Sequence, residues 1–263
     1  MYIDETDSTN NLLKRLLQGE EQEYAACLKQ EVPFVYTAYQ SAGRGQTGNG
    51  WESERGKNLL LSYLLREPAT KPSEQFMMNV IAAVNAHRTI CECLSLEQRP
   101  MLTIKWPNDI YIGNKKIAGI LVENSLSGST IQHSIAGIGI NVNQEKWIGN
   151  APNPVSIKML TGSKLDMDID VFAQSFMKKL ESTLAATHEQ LLYYYHGHFF
   201  RRDGYWPYVE REVSSQPTMN ASAAEQGQFM ARFKEILPTG EIVLIDQEGN
   251  RRTYHFKQIR FVI

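Results

Sequence analysis

Hydrophobic and polar residues follow one another along this chain with two different periods, which predict helices in some stretches and strands in others. Leucines recur at helical spacing after a polar stretch, 4–10, that is rich in residues favoured at helix N-caps; they are Leu12, Leu13, Leu16 and Leu17. We expect Gly19 to end this helix. The β-branched and aromatic run at 34–39 and the apolar run at 58–66 predict two strands.

The middle of the chain continues this mixture of elements. Its patterns predict a helix at 73–96, a strand at 103–106, a hairpin of 110–112 with 116–123, a strand at 133–143, a short helix at 155–161, and a long helix from Asp168 to about His196. His196 and His198 are compatible with a metal pair, but Gly197 between them favours a helix end, so we predict no metal site.

After about residue 206 the pattern changes to short alternating stretches separated by turn residues, which predict a small all-β module of about five strands. The fold class that we predict is therefore α+β. We expect a mixed β-sheet with helices on one face in residues 1–205, followed by a small β barrel in residues 206–263.

Composition narrows the possible functions. The chain has 263 residues, a net charge of −2 and 42% hydrophobic residues, which argues against a general binder of nucleic acids or anionic membranes. The N-terminus lacks the features of a signal peptide, and no apolar run is long enough to span a membrane. Its three cysteines suggest reduced thiols, so we predict a cytoplasmic protein.

Glycine recurs at nearly every second position in the stretch 40–51, which is incompatible with a regular helix or strand. Backbone amides of such a loop are free to point at an anion. Arg44 adds a guanidinium suited to phosphate or carboxylate, and Trp51 adds a flat ring on which a base can stack. The spacing of Gly43, Gly45 and Gly48 matches the dinucleotide fingerprint, but a strand follows instead of a helix, which argues against that interpretation.

Two further polar stretches have both a structural and a functional interpretation. Ser8, Thr9 and Asn10 are typical of helix capping, yet three small polar groups at a helix start also suit a neutral polar ligand such as a urea or amide. The residues that follow the strand at 103–106 form either a simple turn or a polar strand end that reaches a cleft.

Five motifs occur in a fixed order and together are more specific than any one of them. They are Ser-Thr-Asn at 8–10, the glycine loop at 40–51, Lys-Trp-Pro-Asn-Asp at 105–109, Lys-Ile-Ala-Gly-Ile-Leu-Val-Glu at 116–123 and Gly-Ile-Gly-Ile-Asn-Val-Asn at 137–143. This arrangement resembles the biotin–protein ligases. The resemblance implies a catalytic domain like that of class II aminoacyl-tRNA synthetases, and the terminal β module resembles the SH3-like domain of the family.

The resemblance also implies a reaction. Biotin and ATP would form biotinyl-5′-AMP and pyrophosphate, and a lysine of a biotin carboxyl carrier domain would then take the biotin and release AMP. Mg²⁺ would enter with ATP, and no permanently bound cofactor is expected. We expect no DNA partner, because the first motif starts at residue 8, and no membrane partner. Because the family includes dimers, a homodimer is a further expectation.

Site residues follow from the resemblance at matching positions. The implied biotin-binding residues are Ser8, Thr9, Asn10, Gln40, Arg44, Gly45, Gln46, Lys116, Gly119 and Gly139. The implied nucleotide-binding residues are Arg44, Trp51, Lys105, Asn108, Lys116 and Asn141. The implied catalytic residues are Arg44, Lys105, Lys116 and Asp109. One departure is Gln46, where many members carry Arg.

Two other functions remain open at this point. One is a lipoate–protein ligase or octanoyl transferase, an enzyme that has the same fold and also modifies a lysine. A non-catalytic biotin-binding regulator would need the binding residues only, and the retention of Arg44, Lys105 and Lys116 argues against it.

Overall fold

A seven-stranded mixed sheet forms the larger part of the molecule in the computed structural model, which describes residues 1–46, 49–66, 68, 70–128, 130–149, 153–211 and 225–263. Its strands are β1 (Tyr2–Thr6), β2 (Phe34–Gln40), β3 (Leu59–Arg66), β4 (Leu102–Lys105), β5 (Asp109–Ile112), β6 (Lys115–Ser127) and β7 (Thr130–Ile140). The order across the sheet is β1-β2-β3-β7-β6-β5-β4, and β1 and β2 are parallel whereas the other neighbours are antiparallel.

Helices cover both faces of this sheet. They are α1 (Thr9–Leu17), α2 (Met77–Glu92), α3 (Ile157–Thr161), α4 (Ile169–Leu184) and α5 (His188–Gly197), with short 3-10 helices at Gln22–Lys29, Pro72–Glu74 and Arg99–Met101. The predicted helix at 73–96 is therefore α2 preceded by a 3-10 turn. The predicted short helix at 155–161 is α3, which ends at Gly162 with a φ of 66°.

Alternation along the central strands divides the core into two layers. Val35, Leu64 and Ile135 pack with the leucines of α1 in one cluster. Their neighbours in sequence, such as Tyr36 and Ala136, point to the opposite face and join the larger cluster around α2 and α4. The fold class that we predicted is confirmed, but the expectation of helices on one face only is wrong, because α1 covers the other face.

Two features of the first 200 residues were not predicted. The segment 2–6 is an edge strand, since it pairs in parallel with β2, Tyr2 lying opposite Tyr36. The expected helix from Asp168 to about His196 is two helices. The chain leaves α4 after Leu184, and Thr187 starts α5 with a capping box, in which its hydroxyl accepts from Gln190 N and its N–H donates to the Gln190 side chain.

A second, five-stranded antiparallel sheet follows at the C-terminal end, as the alternating pattern predicts. Its strands are β8 (Trp206–Arg211), β9 (Glu225–Ile236), β10 (Ile242–Asp246), β11 (Arg251–Tyr254) and β12 (Ile259–Phe261). One core runs through both sheets: the Phe199 and Phe233 rings stack with centroids 3.7 Å apart, and Trp106 Nε1 donates to Gly240 O at 2.9 Å. A division into units of 1–205 and 206–263 stays a prediction.

Helix length and polarity also bear on membranes. None of the helices in the described ranges is long and apolar enough to pass through a bilayer.

Candidate active site

The polar residues at the start of α1 are buried and bonded to the sheet. Ser8, Thr9 and Asn10 are at most 4% exposed. Ser8 occupies the N-cap position, but its side chain makes no capping hydrogen bond. Thr9 instead donates to Gln40 Oε1 through its amide at 2.8 Å and through its hydroxyl at 3.1 Å. The capping interpretation therefore does not account for this cluster.

Ser62 of β3 joins the same cluster, although the sequence analysis did not identify it. Its hydroxyl donates to Asn10 Oδ1 at 2.6 Å and lies 2.7 Å from Thr9 Oγ1. Ser62 is fully buried among the leucines of β3, next to Tyr63. A small hydroxyl residue in such an apolar run is the signal that would have indicated a buried polar partner.

The Asn10 amide is held on both sides. Its Nδ2 donates to Glu123 Oε2 at 2.7 Å and to Leu121 O at 3.3 Å, while its Oδ1 accepts from Ser62. A Cβ atom at Gly137 would lie 2.3 Å from Asn10 Oδ1, so only glycine leaves room for this side chain on β7. These contacts fix the orientation of the amide, with its oxygen toward Ser62 and its nitrogen toward Glu123.

Two more glycines form the floor on which Trp51 lies. Gly119 of β6 and Gly139 of β7 are directly opposite each other in the sheet. A Cβ at these positions would lie 2.7 Å and 2.4 Å from atoms of the Trp51 indole. The structure thus brings Trp51, predicted to stack near adenine, against two residues predicted to bind biotin.

A lysine and a carboxylate stand beside this floor. Lys116 Nζ lies 2.7 Å from Asp109 Oδ1 and 5.6 Å from the centroid of the Trp51 ring. Asp109 and Gly119 are cross-strand partners, so Asp109 lies next to the glycine floor. Four predicted site residues, contributed by β5, β6 and the glycine loop, therefore meet at one place.

The glycine loop closes on itself as a small hairpin. Arg44 and Gly50 form an antiparallel bridge, Trp51 N donates to Gly43 O at 2.9 Å, and Gly45 N donates to Asn49 O at 2.7 Å. The expectation that the loop amides are free for an anion is therefore wrong for Trp51 and Gly45, because the hairpin uses them. Thr47 and Gly48 lie outside the described residues.

The Arg44 side chain extends from this hairpin toward Glu123 of β6. Its Nη2 donates to both carboxylate oxygens of Glu123, at 3.2 Å and 3.0 Å. On β6, Gly119, Leu121 and Glu123 share the face that carries the site by alternation, whereas Ala118, Ile120 and Val122 pack into the larger core. Glu123 is the last residue of the predicted motif at 116–123.

The remaining predicted residues lie around this centre without direct contacts to it. Lys105 is opposite Asp109 in the sheet, but its Nζ lies 5.2 Å and 4.9 Å from the ring centroids of Tyr111 and Phe261. Burial lowers the pKa of Lys105, and the Asp109 carboxylate opposes that shift. Asn108 is buried and donates through Nδ2 to Ile120 O.

His196 and His198 each have a hydrogen-bond partner in the protein. His196 Nε2 accepts from Ile236 N at 3.2 Å, and His198 Nδ1 lies 2.9 Å from Tyr194 O. Helix α5 ends at Gly197, as expected from the sequence.

The chain is similar in sequence and in structure to known proteins. Residues 3–141, more than half of the chain, match the family described as Biotin/lipoate A/B protein ligase. The chain belongs to this ligase family. The matched range contains every residue of the glycine floor, the α1 cluster and the Lys116–Asp109 pair.

Curated relatives of this ligase family chain agree with the match. It is 34% identical over 141 residues to the bifunctional ligase/repressor BirA of Bacillus subtilis, covering 52% of the chain and 41% of the relative. It is 32% identical over 181 residues to the biotin–[acetyl-CoA-carboxylase] ligase of Paracoccus denitrificans, covering 66% and 69%. The chain therefore spans less than half of the Bacillus relative and about two thirds of the other.

A solved structure supports the fold over the full length of this family member. The biotin protein ligase of Aquifex aeolicus, in complex with biotin and ATP, superposes with a TM-score of 0.67 at 20% identity and covers 100% of this chain and 98% of the other. At that identity the likeness establishes the fold alone.

Seven buried side-chain polar atoms have no hydrogen-bond partner within the described part of the structure. Two of them, Trp51 Nε1 and Asn141 Oδ1, belong to residues predicted to bind nucleotide. Asn141 Nδ2 is satisfied, since it donates to Val155 O at 3.1 Å. Leaving a buried donor or acceptor unpaired costs about 1–3 kcal/mol.

Proposed function

We propose that this protein is a biotin–protein ligase that forms biotinyl-5′-AMP from biotin and Mg²⁺-ATP and transfers biotin to a lysine of a biotin carboxyl carrier domain. Membership in the ligase family and the five ordered motifs support the reaction class. Biotin and ATP are supported as the substrates by the similarity to a biotin–[acetyl-CoA-carboxylase] ligase and by the fold shared with a biotin protein ligase in complex with biotin and ATP.

One observation carries the proposal: a buried cluster of hydrogen-bonding side chains stands next to a glycine floor with a lysine at its edge. Thr9, Asn10 and Gln40 supply hydroxyl and amide groups, and a cyclic urea needs both donors and acceptors. Glycine at 119 and 139 leaves space for a flat ring, which Trp51 occupies in this structure. These are the requirements of the bicyclic head of biotin.

The charged groups suit the activation step. Two anions, the biotin carboxylate and the α-phosphate, must approach each other before a C–O–P linkage forms and pyrophosphate leaves. Lys116 and Arg44 supply the fixed positive charge that lowers this repulsion. Both cations are paired with carboxylates in this structure, Lys116 with Asp109 and Arg44 with Glu123.

Transfer needs no covalent intermediate on this protein. The neutral amine of the acceptor lysine attacks the carbonyl of the mixed anhydride, an amide bond forms, and AMP leaves with the electrons of the broken C–O bond. Once an anionic substrate has engaged Lys116, the Asp109 carboxylate is free to accept a proton or hydrogen bond from the incoming ammonium.

The same fold also serves lipoate ligation, and the α1 cluster distinguishes the two substrates. A dithiolane ring offers neither the amide donors nor the carbonyl acceptor that Thr9, Asn10 and Gln40 match. A purely biotin-binding regulator would not need Lys116 and Arg44 beside the glycine floor.

Isotopic exchange of pyrophosphate into ATP tests the proposal, with biotin, lipoic acid or no acid present. We expect exchange with biotin only. Exchange with lipoic acid but not with biotin would identify a lipoate–protein ligase instead. Thermal stabilisation by biotin without any exchange would identify a non-catalytic biotin-binding regulator.

Lys116→Ala should reduce biotin-dependent exchange about 10²–10³-fold, because it removes a cation placed to meet charge that develops in the reaction. The free energy of unfolding should change by about 1 kcal/mol or less, since the Lys116–Asp109 pair is partly exposed. Lys115→Ala is the matched control, because Lys115 is adjacent and exposed. Near-normal exchange in Lys116→Ala would remove this residue from the chemistry.

A further inference from the structure

Glu123 stands at the point where the α1 cluster and the glycine loop meet, and neither the sequence analysis nor the proposed function gives it a role. Its carboxylate accepts from Lys14 Nζ at 2.7 Å, from Asn10 Nδ2 at 2.7 Å, and from Arg44 Nη2 at 3.2 Å and 3.0 Å. One side chain on β6 thus joins two segments that are far apart in sequence.

The environment keeps this carboxylate charged. The side chain is 25% exposed. Burial raises the pKa of Glu123, but hydrogen bonds from Lys14 and Asn10 outweigh burial and leave the pKa below its ordinary value. Hydrogen bonds that involve a charged partner are shorter and stronger than neutral ones. Glu123 is therefore an anion that both orients Asn10 and attracts Arg44.

Two of its three partners, Asn10 and Arg44, have different tasks. Asn10 is buried and belongs to the cluster that matches a urea, so its amide must keep one orientation. Arg44 belongs to the loop hairpin, and its side chain is 39% exposed. An anionic substrate that binds Arg44 must compete with Glu123 for the guanidinium. The hydrogen bond between Asn10 and Glu123 is not affected by this competition.

We propose that Glu123 is a positioning residue that fixes the Asn10 amide for substrate recognition and holds Arg44 as its counter-ion until an anionic acyl-adenylate draws the guanidinium away. This inference rests on the proposed function. It adds to that function a competition for Arg44, in which the protein's own carboxylate opposes retention of the adenylate.

Two substitutions separate the two tasks. Glu123→Gln keeps an amide oxygen that can accept from Asn10 but removes the negative charge that pairs with both Arg44 and Lys14. We expect biotin affinity within about threefold of wild type and binding of a non-hydrolysable biotinyl-adenylate analogue that is tighter by about three- to tenfold. Glu123→Ala removes both tasks, and biotin affinity should fall by about tenfold or more.

The measurements are calorimetric titrations with biotin and with the analogue on the full chain, together with the dissociation rate of the analogue. Glu21→Gln is the matched control, because Glu21 accepts from Arg15 at 2.9 Å in the same region and carries a similar exposure, but has no part in the site. The same titrations with Arg44→Ala and with Glu123→Gln/Arg44→Ala complete a cycle in which the gain from Glu123→Gln should disappear without Arg44.

The outcomes distinguish this inference from the proposed function. If wild type binds biotin and supports exchange, but Glu123→Gln binds the analogue no more tightly than Glu21→Gln does, the competition is refuted. Equal gains with and without Arg44 would also refute it. A wild-type protein that does not bind biotin would overturn both the proposed function and this inference.

Discussion

At the scale of single residues, the distance between the Trp51 indole and the sheet depends on the absence of side chains at two positions. Gly119 and Gly139 lie side by side beneath the ring, and a Cβ at Gly139 would come within 2.4 Å of it. The same space is the floor that we propose for biotin. Biotin and the present position of Trp51 are therefore mutually exclusive over part of this surface.

Gly139→Ala should displace the Trp51 ring and narrow the pocket, because the nearest indole atoms belong to a rigid ring. We expect biotin affinity to fall by about tenfold or more, with a loss of about 1–3 kcal/mol in the free energy of unfolding from overpacking. Calorimetric titration and chemical denaturation measure the two effects.

Gly227→Ala is the corresponding control, since a Cβ at that glycine would meet no atom within 4 Å. Unchanged biotin affinity in Gly139→Ala, with this control also unchanged, would show that the floor is not the biotin site.

Residue types predicted part of this site. Thr9 and Asn10 stood out as small polar groups at a helix start, and the resemblance to the ligase family assigned them, together with Gln40, to biotin. Ser62 and Glu123 were missed as site residues, because their importance depends on which strands are neighbours. Strand order is set by long-range pairing, here β3 with β7 and β7 with β6, which one sequence does not reveal.

At the scale of elements, periodic patterns predicted most helices and strands but failed where a neighbour or a cap decides the outcome. The segment 2–6 has too little apolar character to indicate a strand, and pairing with β2 makes it one. The break between α4 and α5 follows from the capping box at Thr187, which competes with continuation of the helix.

Thr187→Ala removes the hydroxyl that accepts from Gln190 N and should lower the free energy of unfolding by about 1 kcal/mol. Denaturant titration measures this change. Ser182→Ala, at an exposed position of α4, serves as the control and should change stability by about 0.5 kcal/mol or less. Equal effects of the two substitutions would mean that the cap does not define the start of α5.

At the scale of the whole molecule, a continuous core couples the two sheets and encloses His87. His87 is 1% exposed, its Nε2 donates to Leu102 O at 3.1 Å, and its Nδ1 accepts from the Tyr194 hydroxyl at 2.9 Å. Burial lowers the pKa of His87 to about 4, and the neighbouring His198 adds to this shift. The folded protein therefore keeps His87 neutral where an unfolded chain would protonate it.

This difference makes stability depend on pH. Above about pH 6.5 both states hold a neutral imidazole, and as the pH falls below that value only the unfolded state gains a proton, until the folded pKa is reached. Between pH 6.5 and pH 5 we expect His87 alone to cost about 1–2 kcal/mol of stability. Denaturant titrations across this range should show a steeper loss for wild type than for His87→Gln.

Identical slopes for wild type and His87→Gln would show that His87 is not the group responsible.

Sequence patterns predicted the α+β class and a small terminal β module, since these follow from local periodicity. They did not predict that one core joins the two sheets. That continuity depends on contacts such as Phe199 with Phe233 and Trp106 with Gly240, whose partners are far apart along the chain.

The alternation along β6 has a consequence for altering this protein. From Ala118 to Glu123, successive residues face alternately the packed interior and the candidate site. One short stretch therefore has to satisfy both the packing of the core and the geometry of the site. Variation aimed at changing the proposed acyl substrate belongs at Leu121, while Ala118, Ile120 and Val122 should stay fixed and Gly119 should stay glycine, because a Cβ there would lie 2.7 Å from the Trp51 ring. An insertion or deletion of one residue here would exchange the two sets and disrupt both the fold and the candidate site.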